Sequence, residues 1–412
     1  MCLKSGGGAR DGFNSKRKNI AMIPFEKAYD IVMSSGFRTG TEVIPYDDSL
    51  NRILAEDVVS DIDMPPFDKA TVDGFACRKA DLKDDLDIIE TIPAGKWPEK
   101  QVGKLQCSRI MTGAAIPSGA DCVIMVEDTE IIHTGKIRFK GVFTKKNIAL
   151  KGEDGQKGDI VLKAGKQIKP QDIAVMASVG NVSVTVSKMP QVAIISSGSE
   201  LVEPSHVPGI SQIRNSNASQ LMAQVKTAGA AGKYYGIAKD DEKETLYLVI
   251  KAIAENEIVI ITGGVSMGDF DFIPSVLERA EVKILFTRVA VQPGKPTTFG
   301  LHPKAIVFGL PGNPVSSFIQ FELLIRPLIS KMMGFEWHPV ICQLPMNEKF
   351  TRRSDERMMI IPVIITNEGQ VTPVEYHGSA HISALPGAHG IIAMPVGKRI
   401  FEKGEIVSVR YI

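Results

Sequence analysis

The sequence predicts a multidomain protein built around an α/β domain with a parallel sheet, flanked by β-rich segments. Three observations predict it. First, one kind of phrase recurs at 191–201 (QVAIISSGSEL), 257–271 (EIVIITGGVSMGDFD) and 304–317 (KAIVFGLPGNPVSS): a short β-branched run, a Gly-rich turn, then a helical pattern. Buried parallel strands read this way. Second, the stretches 72–143 and the last ~75 residues consist of short, turn-separated apolar runs, the pattern of antiparallel β domains. Third, 412 residues exceed what one core organises, so two to four domains are expected.

In chain order, 1–20 is Gly-, Ser- and Lys-rich without an apolar core, which suggests a flexible tail and no secretory signal. Residues 24–35 have helical spacing with Pro24 suited to a first turn. A second helix is expected over 49–55, capped by Asp47, Asp48 or Ser49. An antiparallel β domain then covers 61–146. Residues 147–187 return to Gly-rich loops, a helix at 170–178 and the strand NVSVTVS. They are expected to pack with 21–60, so the β domain would be an insertion between these two segments.

From 188 to 333, strands alternate with helices at 216–228, 241–255, 273–280 and 314–332, the signature of a parallel α/β sheet with its Gly turns on one edge. Residues 334–412 (MMIIPVIIT, HGIIAMP, EIVSVRYI) suggest a small barrel or sandwich.

Net charge is +1, so no global basic field points to nucleic acid. No apolar run approaches a membrane span, and the expected location is cytoplasmic. The five cysteines include no CxxC pair, so neither a zinc site nor a disulfide framework is suggested; buried thiols are the default.

Ligands of open α/β sheets bind beyond the carboxyl ends of the strands, where turns aim backbone N–H groups at anions. Gly263, Gly264 and Gly268 permit close backbone approach, and Ser266 adds a hydroxyl. Neither GxGxxG nor a P-loop is present. Asp269 and Asp271 beside an anion site make sense with a bridging cation such as Mg²⁺, although either taken alone is better read as structural, with Asp271 capping the helix. In LPGNPVSS, Gly312 and Asn313 lead into a helix start carrying Ser316. In QPGKPTTFG, Lys295 stands in a rigid turn where it can meet an anion as a point charge, with Arg288 as a possible assistant. Asp73, Asp154 and Glu200 lie in Gly-flanked turns, and each alone reads as a turn former or surface charge. His377 and His381 are spaced i, i+4 in a non-helical segment, which disfavours a metal pair.

Taken in order, PPFDKATVDGFA, RIMTGAAIPSGADCVIMVED, KGEDGQKGD, VAIISSGSELV, IRNSN, KDD, TGGVSMGDFDF, PGKPTTFG, LPGNPVSS and HGSAHI resemble the molybdopterin molybdotransferases of molybdenum-cofactor biosynthesis, relatives of the E domain of gephyrin. The resemblance implies an elongated chain with an inserted β domain, an α/β molybdopterin-binding domain and a C-terminal β-barrel. It implies a homodimer and possible contact with other molybdenum-cofactor enzymes, while charge and hydropathy speak for no nucleic-acid or membrane partner. The implied reaction transfers molybdenum from molybdate to adenylylated molybdopterin with Mg²⁺-dependent release of AMP. Carried over, the catalytic acidic set falls on Asp73, Asp154, Glu200, Asp240 and Asp271, with Glu200 and Asp271 as metal ligands. Substrate binding falls on Thr112, Gly263, Gly264, Ser266, Gly268, Lys295, Gly312, Asn313, Ser316, Arg353 and Ser379, to which the reading of the residues adds Arg288.

Two departures stand out. Ser199 occupies a position often acidic in the family, and Gln292 one often basic. The alternatives to weigh are a molybdopterin adenylyltransferase, which the α/β domain alone also resembles, a gephyrin-like scaffold without turnover, and a generic sugar-phosphate or nucleotide binder.

Overall fold

The structure, a computed structural model, describes residues 22–239, 241–264, 273–375, 378 and 381–412. They form two compact units, 41–186 and the combination of 22–40 with 187–412.

In the larger unit a six-stranded sheet runs in the order Ala231–Ala238, Gln191–Ser197, Ile258–Thr262, Ala305–Leu310, Thr298–His302, Lys283–Phe286. The first four strands are parallel. Thr298–His302 runs antiparallel to both of its neighbours, so the sheet is mixed rather than wholly parallel as expected. The reason is local: only Pro303 and Lys304 separate the paired residues His302 and Ala305, and two residues make a hairpin, never a crossover. Every residue of Ile258–Thr262 and of Ala305–Leu310 is buried, which accounts for their unbroken apolar runs. One core joins Ile195, Val259, Ile261 and Val307 to Val249, Ile253, Val276 and Leu277 from two helices. Each such side chain contributes about 1.5–3 kcal/mol by leaving water.

The helices are Ser216–Thr227, Glu242–Glu255, Ile273–Arg279 and a long one from Pro314 to Met332. The long helix widens into a π turn at Phe321–Ile325. There the buried Glu322 pairs with Arg326 at 2.8 Å and Arg410 at 3.6 Å and accepts from Gln224 Nε2 at 2.9 Å.

The first helix, Phe25–Ser34, departs from the expected grouping with 41–60 and 147–187: it belongs to the larger unit. Its attachment is by backbone on both sides. Ile23 N donates to Arg288 O at 3.1 Å and Ala290 N to Ile23 O at 2.8 Å; Lys331 Nζ donates to Met33 O at 2.6 Å.

The C-terminal segment forms a sheet in the order Val291–Gln292, Met358–Ile365, Gly390–Met394, Ile406–Tyr411, Ile341–Pro345, with Val371–Pro373 beside Met358–Ile365. A ribbon of Phe350–Thr351 and Ile400–Phe401 joins it around Ile361, Val363, Ile392, Met394 and Val409. The pairing of Gln292 with Met359 ties the segment before the PGKP turn to this sheet.

The smaller unit carries a six-stranded sheet, Cys122–Met125, Gly74–Cys77, Gln106–Ile110, Leu86–Ile92, Lys136–Phe139, Thr129–His133. It is antiparallel except that Leu86–Ile92 and Gln106–Ile110 run parallel; the thirteen residues between them are long enough for a crossover. Cys77 pairs in register with both Cys107 and Cys122, and all three thiols are buried. The helix expected over 49–55 is absent. A 3-10 turn at Tyr46–Asp48 comes first, and Leu54 then spends its backbone on Lys166 O at 2.9 Å and Gly165 N at 2.8 Å while its side chain enters the core. The helix Pro170–Ser178 and strand Ser183–Ser187 stand where the sequence places them.

Candidate functional site

Three neighbouring parallel strands end side by side at Ser197, Thr262 and Leu310, and their turns form one edge of the sheet. Gly263 sits at φ +92°, and its N–H donates to Leu310 O at 3.0 Å. A Cβ there would stand 2.2 Å from Ser197 O, so only glycine fits. Gly264 is at φ +64°, crowded by Ile273 and by Ser197 Oγ. A Cβ on Gly312 would lie 3.6 Å from Gly263 Cα, so the turns after two strands approach each other closely.

Buried side chains of the next helix hold this arrangement. Asn215 caps Ser216–Thr227 and exchanges hydrogen bonds with Ser196 Oγ at 2.9 and 3.1 Å. Asn217 Nδ2 donates to Thr262 Oγ1 at 2.9 Å and to Gly312 O at 2.7 Å, fastening the second and third turns together. Thr262 Oγ1 donates to Pro311 O at 3.3 Å, and Gln220 Nε2 to Pro314 O at 3.2 Å.

Glu200 is exposed, and its carboxylate folds over Gly198, 2.5 Å from where a Cβ would be. Its oxygens take no protein partner among the described residues, so it is a carboxylate open to a cation. Ser199 is exposed beside it. Gly312 and Asn313 are exposed and Ser316 is buried in the following turn.

At the PGKP turn, Lys295 is exposed with an unengaged ammonium group among the described residues. Gly294 is at φ +111° and leaves no room for a side chain against Gln320, whose Nε2 donates to Pro293 O at 3.3 Å. Arg357 reaches this turn, donating to Val291 O at 3.3 Å and to Gln292 Oε1 at 3.5 Å. Its guanidinium thus supplies a positive charge beside the neutral Gln292. Arg352 is buried and fully engaged with the carbonyls of Lys398, Arg357 and Pro395. Arg353, named from the sequence, is exposed and unpaired among the described residues; Arg288 is half-buried.

In the smaller unit, Asp73 and Thr112 come together: Thr112 N–H and Oγ1–H both donate to Asp73 Oδ1, at 2.6 and 2.7 Å. The backbone N–H first, then the hydroxyl and the charge of Arg109, hold the Asp73 carboxyl below the usual carboxylate range. Gly74 beside it has no room for a Cβ, which would fall 1.8 Å from Ile124 O. Asp154 is exposed, its N–H donating to Met64 O at 2.8 Å. Asp240, Ser266, Gly268, Asp271 and Ser379 lie outside the described residues. Among those described, no three His, Cys, Asp or Glu side chains converge as a metal site.

Comparison with known proteins matches three family profiles along the chain: MoeA N-terminal region (domain I and II) over 23–180, probable molybdopterin binding domain over 193–331, and MoeA C-terminal region (domain IV) over 343–411. A molybdopterin molybdenumtransferase of Staphylococcus aureus (strain Mu50) is 37% identical over 94% of this chain and 95% of its own. The chain belongs to the molybdopterin molybdenumtransferase family. A Staphylococcus epidermidis relative of the same name is 38% identical over 94% of this chain and 95% of its own. The crystal structure of a molybdopterin biosynthesis protein from Pyrococcus horikosii superposes with a TM-score of 0.80 at 33% identity, covering 95% and 99% of the two chains. This molybdenumtransferase is accordingly an enzyme of molybdenum-cofactor biosynthesis.

Sequence reasoning missed Ser197, Asn217 and Arg357. Asn217 lies in the IRNSN phrase, which signalled family but not geometry. Arg357 was hidden by the competing arginines at 352 and 353. No helix among the described residues is long and apolar enough to cross a membrane.

Proposed function

We propose that this molybdenumtransferase takes molybdenum from molybdate onto the dithiolene of adenylylated molybdopterin and, by cleaving the phosphoanhydride, releases AMP. The observation that carries the reading is the edge where Gly263 and Gly264, both at positive φ, pack against Ser197 with no room for a side chain at Gly263, and where Gly312 comes close beside Gly263. Such turns suit phosphate oxygens, because fixed N–H dipoles need no reorganisation as charge develops.

In this reading the Gly263–Gly264 and Gly312–Asn313 turns, with Ser316, hold the phosphates of adenylylated molybdopterin. Lys295 and Arg357, with Arg288 nearby, hold the molybdate dianion; Arg357 takes over the charge that Gln292 lacks. Glu200 is a hard oxygen donor with free lone pairs, which fits Mg²⁺. Asp271 would complete its ligands together with the phosphates, joined in the wider acidic set by Asp154 and Asp240. Bound there, Mg²⁺ would neutralise charge on the phosphoanhydride. Asp73, kept ionised by Thr112, is suited to orient a water or a molybdate oxygen for attack. The reading includes a cytoplasmic homodimer; light scattering should give about twice the chain mass of 44.7 kDa.

The decisive assay is AMP release from adenylylated molybdopterin with Mg²⁺, with and without molybdate. Molybdate-dependent release is the expected result. Binding without release would leave a binding protein, and ATP-dependent adenylylation of free molybdopterin would replace the reading with an adenylyltransferase.

A further inference from the structure

We infer that the Ser197 hydroxyl binds the substrate directly, donating a hydrogen bond to a phosphate oxygen of adenylylated molybdopterin at the Gly263–Gly264 turn. This deepens the function proposed above and rests on it.

Three hydroxyls stand in the last positions of two neighbouring strands, Gln191–Ser197 and Ile258–Thr262, and they are treated differently. Ser196 Oγ is bonded to Asn215. Thr262 Oγ1 accepts from Asn217 and donates to Pro311 O. Ser197 is 3% exposed, and its Oγ has no partner among the described residues. An unpaired buried hydroxyl costs stability, and alanine at the same place would not incur that cost. An unused donor of this kind calls for a partner that arrives later.

Its position indicates which partner. Ser197 Oγ lies 3.3 Å from where a Cβ of Gly264 would be, and Ser197 O lies 2.2 Å from where a Cβ of Gly263 would be. The hydroxyl is therefore packed against the backbone of the turn that cradles the anion, at the carboxyl end of its strand, where ligands of such sheets sit. An ionised phosphate oxygen only accepts, and a hydroxyl with a free proton is the complementary donor. The contrast with Ser196 and Thr262 separates two jobs: those hydroxyls are used to build the edge, and Ser197 is kept free to use it.

The test is Ser197→Ala, read two ways. Thermal unfolding without ligand should give a Tm equal to or above that of the unaltered enzyme, since an unpaired hydroxyl has been removed. Calorimetric titration with adenylylated molybdopterin, Mg²⁺ present and molybdate absent, should give a Kd weaker by about tenfold or more, the loss of a hydrogen bond to a charged group. The KM for molybdate in the AMP-release assay should stay put. A lowered Tm with unchanged Kd would overturn the inference, because the hydroxyl would then serve the fold. The same titration of the unaltered enzyme separates the two readings. If it binds and Ser197→Ala binds equally well, only the role of Ser197 falls; if it does not bind at all, the proposed function falls and this inference with it.

Discussion

The strand-end edge of the α/β domain and the Asp73–Thr112 pair of the β domain solve the same problem, holding polar groups ready, by opposite means. At the strand ends the supporting side chains Asn215, Asn217 and Thr262 are buried, and they grip backbone or one another. At Asp73 the carboxylate stays in water, and a single neighbour, Thr112, gives it two hydrogen bonds. A buried polar group must be satisfied or it costs stability, so the first region couples shape to folding. An exposed carboxylate is screened by solvent, so the second region tunes charge with little effect on folding. Damage to the edge should therefore appear in stability and activity together; damage to the pair should appear in pH dependence.

The largest effect is expected from Gly263→Ala. The new Cβ would meet Ser197 O at 2.2 Å at a φ of +92°. Strain and clash together should cost about 2–4 kcal/mol in chemical denaturation. Displacing the turn by a fraction of an ångström should also slow AMP release by about a hundredfold. Near-normal activity would mean that the turn does not hold the substrate.

Asn217→Ala comes next. It removes one buried hydrogen bond, to Thr262 Oγ1, and one part-buried, to Gly312 O, while Thr262 Oγ1 keeps its bond to Pro311 O, so a loss of about 1–3 kcal/mol is expected by urea titration. If coupling of shape to function is right, Kd for adenylylated molybdopterin should weaken in the folded protein as well. A stability loss with unchanged Kd would restrict Asn217 to folding.

Gly113→Ala, in the turn just after Thr112, tests the same backbone feature in the other region. Its φ of +83° resembles that of Gly263, but no atom lies within 4 Å of the added Cβ. Only the conformational penalty remains, about 1–2 kcal/mol. Equal losses at Gly113 and Gly263 would show that φ alone governs both, and that the crowding at the edge counts for nothing.

The two regions also differed in how far they could be read from sequence. The edge was legible because burial writes itself into composition: VAIIS, IVIIT and AIVFGL are fully buried strands, and the glycines after them mark the turns. What burial does not encode is strand direction. The hairpin through Pro303 and Lys304 reversed one strand of the sheet, Thr298–His302, and the segment 93–105 let Leu86–Ile92 run parallel to Gln106–Ile110. The short helix over 49–55 failed because Ile53 and Leu54 find backbone partners distant in sequence, at 165–168 and 185–186, which local spacing cannot reveal. Individual candidate side chains were legible only where a turn motif surrounded them. Lys295 in PGKP could be named in advance; Arg357, whose relevance comes from strand pairing with 291–292, could not.

The smallest effect in stability, and the sharpest test of the contrast, is Thr112→Val. Thr112 lowers the Asp73 pKa from its usual 3.8 first through the backbone N–H and second through the hydroxyl. Valine removes the second donor and keeps the first, so the folded-state pKa should move up toward 3.8 while remaining below it. For a carboxyl with a depressed folded pKa, the stabilising contribution is present above the unfolded value and disappears as pH falls through the folded one. The variant should therefore be slightly less stable than the unaltered enzyme at neutral pH, by the part of that contribution the hydroxyl supplies, and the difference should vanish in acid once Asp73 is protonated in both. If AMP release needs an ionised Asp73, the acid limb of its kcat/KM profile should shift to higher pH in the variant, in step with the Asp73 carboxyl titration followed by NMR. A moved titration with an unmoved limb would separate Asp73 from the chemistry. A large loss of stability at neutral pH would break the comparison itself, because the pair would then be bound up with folding as tightly as the edge.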